Sequence, residues 1–120
     1  MTQKLRLFEN ASDTRHFQAG QTIFADGETG SEMYVIRAGK VDIIQNGKVV
    51  ETLDSGNLFG EMALIDNAPR SATAKANTDC ELVAINAKRF EFMVQETPNF
   101  ALTVMKVMTD RLRRYFPAGQ

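Results

Sequence analysis

Residues 33–53 read MYVIRAGKVDIIQNGKVVETL, and the alternation of apolar runs with turn pairs in this stretch decides the fold. MYVIR, KVDIIQ and KVVETL are rich in β-branched and aromatic residues, which pack well on a pleated surface and poorly in a helix. Ala38-Gly39 and Asn46-Gly47 separate them. Asn-Gly between two β-type runs is a strong hairpin signal, because a two-residue type I′ turn needs positive φ at both positions. The stretch predicts three consecutive antiparallel strands.

The same grammar extends in both directions. TRHF and QTIF precede the stretch, SATAKA and CELVAI follow it, and Ala19-Gly20, Asp26-Gly27, Gly30 and Ser55-Gly56 punctuate them. From about residue 14 to residue 86 the spacing predicts an antiparallel β-barrel or jelly roll. Two segments break the pattern. GEMALID, residues 60–66, is Ala-, Leu- and Met-rich and predicts a helix of one to two turns that stops before Asn67-Ala68-Pro69. Ala87–Gln95 and Asn99–Tyr115 predict two helices divided by Thr97-Pro98. The expected fold is mainly β with α: a barrel over 14–86, a short helix inside one connection, and C-terminal helices over 87–116, all in one domain of residues 1–120.

Composition bounds the function. The chain has 120 residues, 43% hydrophobic and 24% charged, with a formal net charge of -1. That balance supports one core and gives no field to recruit nucleic acid or an anionic membrane. The N-terminus carries no long apolar run, and the single Cys80 cannot form an internal disulfide, so the expected compartment is the cytoplasm. One His and one Cys cannot make a metal centre of the usual ligand count. His16 reads as a structural histidine and Cys80 as a small core residue. No phosphate-loop spacing surrounds Gly39-Lys40 or Gly47-Lys48. Arg111, Arg113 and Arg114 are explained as cations at a helix C-terminus.

FGEMALIDNAPRSATA, residues 59–74, is where chemistry concentrates. Glu61 and Arg70 stand nine positions apart amid small residues. A helix beginning near Gly60 offers unpaired N–H groups to an anion, Arg70 adds a two-pronged donor, and Ser71 adds a hydroxyl. Such donors suit a phosphodiester monoanion, and Glu61 suits a neighbouring hydroxyl such as a ribose 2′-OH. On residue chemistry alone the pair is equally a structural ion bridge.

This stretch resembles the phosphate-binding cassette of cyclic-nucleotide-binding domains, in which Phe-Gly-Glu-(Leu/Met)-Ala-Leu is followed by Pro-Arg-(Ala/Ser/Thr)-Ala-Thr. FADGETGSEMYVIRAGKVDI, residues 24–43, resembles the Gly-Glu-x-Gly turn and Tyr-Val-Ile-x-x-Gly-x-Val strand of the same family, in the same order. The resemblance, of the catabolite-activator and protein-kinase-A regulatory-subunit type, implies a sensor of cyclic AMP or cyclic GMP with no catalytic residue, no metal and no other cofactor. It implies that Glu61 accepts from the ribose 2′-hydroxyl, that Arg70 and Ser71 hold the cyclic phosphate, and that backbone amides of Gly60, Glu61, Met62, Ala63 and Ala72 complete the cradle. Ile43, Val50 and Phe59 are candidates for apolar contact, and Gly27, Gly30 and Gly39 for turns. Serine at position 71 fits either base, and the expectation leans to cyclic AMP.

The competing expectation is a protein-interaction scaffold of the same fold in which Glu61 and Arg70 pair only with each other. The last helix bears on output. Phe100, Val104, Val107, Met108 and Tyr115 form one apolar stripe, and Leu102, Met105, Leu112 and Phe116 a second. One barrel can bury one stripe, so a two-fold homodimer through this helix is expected, with Tyr115 and Phe116 near the base and a downstream protein partner reading the helix position.

Overall fold

The computed structural model describes residues 13–115. Eight strands and three helices follow in the order β1 (Arg15–Phe17), β2 (Thr22–Phe24), β3 (Glu32–Ala38), β4 (Val41–Gln45), β5 (Lys48–Leu53), β6 (Leu58–Phe59), α1 (Glu61–Asp66), β7 (Thr73–Ala76), β8 (Cys80–Asn86), α2 (Ala87–Glu96) and α3 (Asn99–Tyr115). The strands form two four-stranded antiparallel sheets, ordered β1-β8-β3-β6 and β2-β7-β4-β5. The expected barrel is therefore a jelly-roll-like pair of sheets that does not close, because among the described residues no ladder joins the edge strands of one sheet to those of the other. Asn46-Gly47 is the expected hairpin turn, with φ of 52° and 77°.

The unbroken apolar run in β3 has a direct cause. Side chains on a strand alternate between faces, and both faces of β3 are covered. Tyr34 and Ile36 point between the sheets and pack with Phe24, Val41, Leu53, Phe59, Ala74, Ala76 and Leu82. Met33 and Val35 point the other way, joining Val83 and Ile85 against Phe100, Val104 and Val107 of α3. The molecule thus has two cores separated by one sheet. β6, only two residues long, escaped the sequence reading; Leu58 and Phe59 are both 1% exposed and serve one core each.

The helices end where local chemistry ends them. Gly60, with φ 79°, is the N-cap of α1, and Asn67, with φ 57°, stops it in the left-handed conformation before Pro69. Asn86 caps α2 through its Oδ1, which accepts from the Arg89 amide at 2.8 Å. His16 is exposed on β1. Cys80 is buried, with Sγ donating toward the Lys40 and Thr78 carbonyls, and burial pushes its thiol up. It is a core residue, as expected.

α3 carries the two faces the sequence predicted. Phe100, Val104 and Val107 are buried, whereas Leu102, Met105 and Leu112 are 49%, 54% and 57% exposed. The helix is described to Tyr115, but the Tyr115 side chain and Phe116 lie outside the described residues.

Truncating the two faces should therefore have unequal effects. Phe100→Ala is expected to cost roughly 3–5 kcal/mol by urea unfolding, the usual loss for an emptied aromatic site. Leu102→Ala should change stability by about 0.5 kcal/mol or less in the same assay at low protein concentration. Equal losses would contradict the packing of α3 on the β3–β8 face.

Candidate functional site

α1 and the loop after it place Arg70 inside the molecule. Its backbone is clasped to the β2–β3 connection: Gly27 N donates to the Arg70 carbonyl at 2.8 Å, and Arg70 N donates to the Glu28 carbonyl at 2.9 Å. The side chain then turns inward. Nη1 donates to the Gly60 carbonyl at 3.0 Å and Nη2 to the Glu32 carbonyl at 2.8 Å. The guanidinium lies 4.0 Å above the centre of the Phe24 ring, which stacks on Tyr34 and meets Phe59 at a tilt, while Tyr34 and Phe59 stack on each other.

Two glycines make room for this group. A Cβ on Gly30 would sit 2.5 Å from Arg70 Nε and Nη2, and one on Gly60 would sit 2.8 Å from Nη1. Gly30 was expected as a turn glycine. It is not among the positive-φ residues, so its role is close approach rather than conformation. Arg70 is 7% exposed, and its Nε has no hydrogen-bond partner among the described residues. Desolvation lowers its pKa below the ordinary arginine value, yet a guanidinium keeps its proton throughout the physiological range. A permanent buried charge therefore bonds here to carbonyls.

Glu61 and Arg70 do not pair with each other. Glu61, 6% exposed, is the first residue of α1, and its Oε1 accepts from Arg111 Nη1 at 2.8 Å. Arg111 also donates through Nη2 to the Leu58 carbonyl, and its Nε lies 3.7 Å from Glu51 Oε1. Glu51 Oε2 accepts from Arg114 Nη1 at 2.6 Å. The explanation of the arginine cluster by the helix dipole alone fails for Arg111 and Arg114, since both carry specific ion pairs. The signal was present in the spacing: Val104, Val107 and Arg111 lie on one face, so the buried stripe runs onto an arginine.

These side chains border a cavity of about 470 Å³, within the usual range for a small-molecule site. Its wall includes Phe59, Gly60, Glu61, Met62, Ala63, Arg70, Ser71 and Ala72 from the quoted stretch, together with Phe24, Ile43, Gln45, Glu51, Pro69, Arg111 and Leu112. Ser71 is exposed at the rim, and its carbonyl accepts from Gln45 Nε2 at 3.2 Å. Val50 does not reach the cavity and is 43% exposed. The cause is a bulge: Ile43 faces Glu51 while Ile44 faces Val49, which leaves Val50 out of register and brings Glu51 inward. Tyr115 cannot be placed at the site, because its side chain lies outside the described residues. Among those residues no group of His, Cys, Asp and Glu could hold a metal ion, and no helix is long and apolar enough to cross a membrane.

Known proteins share this sequence pattern and fold. The profile of the family described as cyclic nucleotide-binding domain matches residues 14–97. A cyclic nucleotide-gated potassium channel of Rhizobium etli is 40% identical over 93 residues, 78% of this chain and 26% of the channel. A cGMP-dependent protein kinase of Plasmodium berghei is 40% identical over 83 residues, 69% of this chain and 10% of the kinase. The catabolite activator protein of Thermus thermophilus superposes with a TM-score of 0.77 at 31% identity, over 86% of this chain and 51% of that one. The chain thus spans 26% or less of the two curated relatives' lengths.

The buried Glu61–Arg111 pair should be measurable as a coupling. Glu61→Gln and Arg111→Gln are each expected to cost roughly 3–5 kcal/mol, because each strands a buried charge. The double variant should fall short of the sum by at least about 1 kcal/mol in urea unfolding. Additive losses would dissociate α3 from the cavity wall.

Proposed function

Because the chain belongs to the cyclic nucleotide-binding domain family, we propose that the cavity takes one 3′,5′-cyclic nucleotide and that the domain is a sensor without catalysis of its own. The observation that carries this reading is Arg70. It is a buried cation whose hydrogen bonds go to carbonyls and whose Nε is unsatisfied, so a single negative charge at the cavity end completes it. A phosphodiester monoanion fits that count. Ser71 and the amides around Gly60 to Ala63 and at Ala72 supply the remaining donors.

Glu61 fits the ribose. Arg111 takes Oε1, and the carboxylate's other lone pairs are available to accept from a 2′-hydroxyl. The scaffold alternative needed Glu61 and Arg70 to satisfy each other, and their separate partners count against it. The expectation of cyclic AMP rests on Ser71, which serves guanine equally, and one relative is named for cyclic GMP.

Relay follows from the same carboxylate. Glu61 touches the nucleotide on one side and α3 on the other, so ligand affinity and helix position share one group, and each biases the other. The exposed face of α3 then supplies the output as a two-fold homodimer contact, or as the surface a downstream protein reads. The proposed compartment is the cytoplasm, consistent with one buried free thiol.

Calorimetric titration tests the site. Arg70→Lys keeps the charge but loses the fork, and the affinity for cyclic nucleotide should fall by about 1.5–3 kcal/mol, roughly tenfold or more. Unchanged affinity would remove Arg70 from the site. Glu61→Gln should weaken a ribo ligand more than its 2′-deoxy analogue, and equal penalties would place the glutamate's role elsewhere. For the dimer, Met105→Glu should shift sedimentation toward the monomer while leaving nucleotide binding intact; a wild-type chain that sediments as a monomer with and without ligand would exclude the contact.

A further inference from the structure

Glu51 belongs to none of the groups that hold a sugar phosphate, yet it stands in the same cavity. β5 carries it opposite Ile43, and its side chain is only 12% exposed. A carboxylate so enclosed costs free energy unless its oxygens are engaged. Oε2 is engaged by Arg114 at 2.6 Å. Among the described residues Oε1 has no hydrogen-bond donor: Arg111 Nε stands 3.7 Å away, close enough for charge attraction but beyond hydrogen-bonding distance. The wall therefore holds an acceptor atom with unused capacity.

Its position relative to Glu61 indicates what it meets. One guanidinium touches both carboxylates, Glu61 through Nη1 and Glu51 through Nε. Glu51 thus lies just past the group assigned to the ribose 2′-hydroxyl. In a nucleotide with its base anti, that hydroxyl lies along the same edge as purine N3 and the C2 position, the edge that RNA displays in its minor groove. There guanine carries an amino group and adenine a C–H.

The geometry points to Glu51 as the specificity-determining residue, its Oε1 accepting a hydrogen bond from the 2-amino group of guanine and selecting cyclic GMP over cyclic AMP. This deepens the cyclic-nucleotide reading and rests on it, and it reverses the adenine expectation drawn from Ser71. Adenine in the same pose covers Oε1 without offering a donor, which is a penalty and not merely a missing contact.

Titration of the 120-residue chain with cyclic GMP, cyclic IMP and cyclic AMP tests it, because cyclic IMP is cyclic GMP without the 2-amino group. Cyclic GMP should bind about tenfold or more tighter than either of the others. Glu51→Leu leaves Arg111 with Glu61 and the Leu58 carbonyl and should bring the three affinities together. Glu51→Gln, which keeps a neutral acceptor, should retain part of the preference and guards against a misfolded leucine variant. Equal wild-type affinities for cyclic GMP and cyclic IMP would overturn the assignment. So would a preference that survives Glu51→Leu, or one that is lost in Ser71→Ala and kept in both Glu51 variants. A wild type that binds none of the three overturns the parent reading as well, and its flat titration distinguishes that failure from a loss of selectivity alone.

Discussion

A guanidinium buried without a carboxylate is the constraint around which the site is built. Arg70 is held by two backbone carbonyls, an aromatic ring and two positions where no Cβ is tolerated. Each carbonyl belongs to a different element: Glu32 opens β3, and Gly60 caps α1. One side chain therefore ties the start of a central strand to the start of the cavity helix. Carbonyl dipoles lessen the cost of burying the charge but do not neutralise it. For the anion proposed above, the cation is already positioned, and positioning done in advance is not charged against binding.

The second organising feature is the division of α3 into three regions. Its first turns are apolar and packed on the β3–β8 face through Phe100, Val104 and Val107. Its last turns reach the cavity through Arg111 and Leu112, and Arg114 pairs with Glu51 of the cavity wall. Its outer face exposes Leu102 and Met105. Apolar contacts hold the first part to the sheet, and ion pairs hold the last part to the carboxylates of the cavity wall.

Much of this was legible in local sequence. Strand positions, the Asn46-Gly47 hairpin, the short helix after Gly60 and the Thr97-Pro98 break all follow from propensity and turn chemistry acting over a few residues. Glu61 and Arg70 were visible because both cavity-wall charges lie in one short segment amid small residues. Val50 was misjudged because a β-bulge shifts the inward position by one residue, and a bulge leaves no mark on an alternating pattern. Gly30 was assigned to a turn because a glycine needed for space and a glycine needed for φ look alike in a sequence.

What the sequence determined by itself is the set of elements, β6 apart, and the residue types that the segment 59–72 brings to the cavity wall, since both depend on neighbours along the chain. What only the tertiary structure decided is which charges meet. Glu61 pairs with Arg111, 50 residues away, and Glu51 with Arg114, 63 residues away. Those pairings depend on the angle at which α3 crosses the roll, and that angle is fixed by a core assembled from β3, β6, β8 and both C-terminal helices together. No segment encodes it alone, so the carboxylate beside Glu61 and the arginine between them emerge only when the chain is folded.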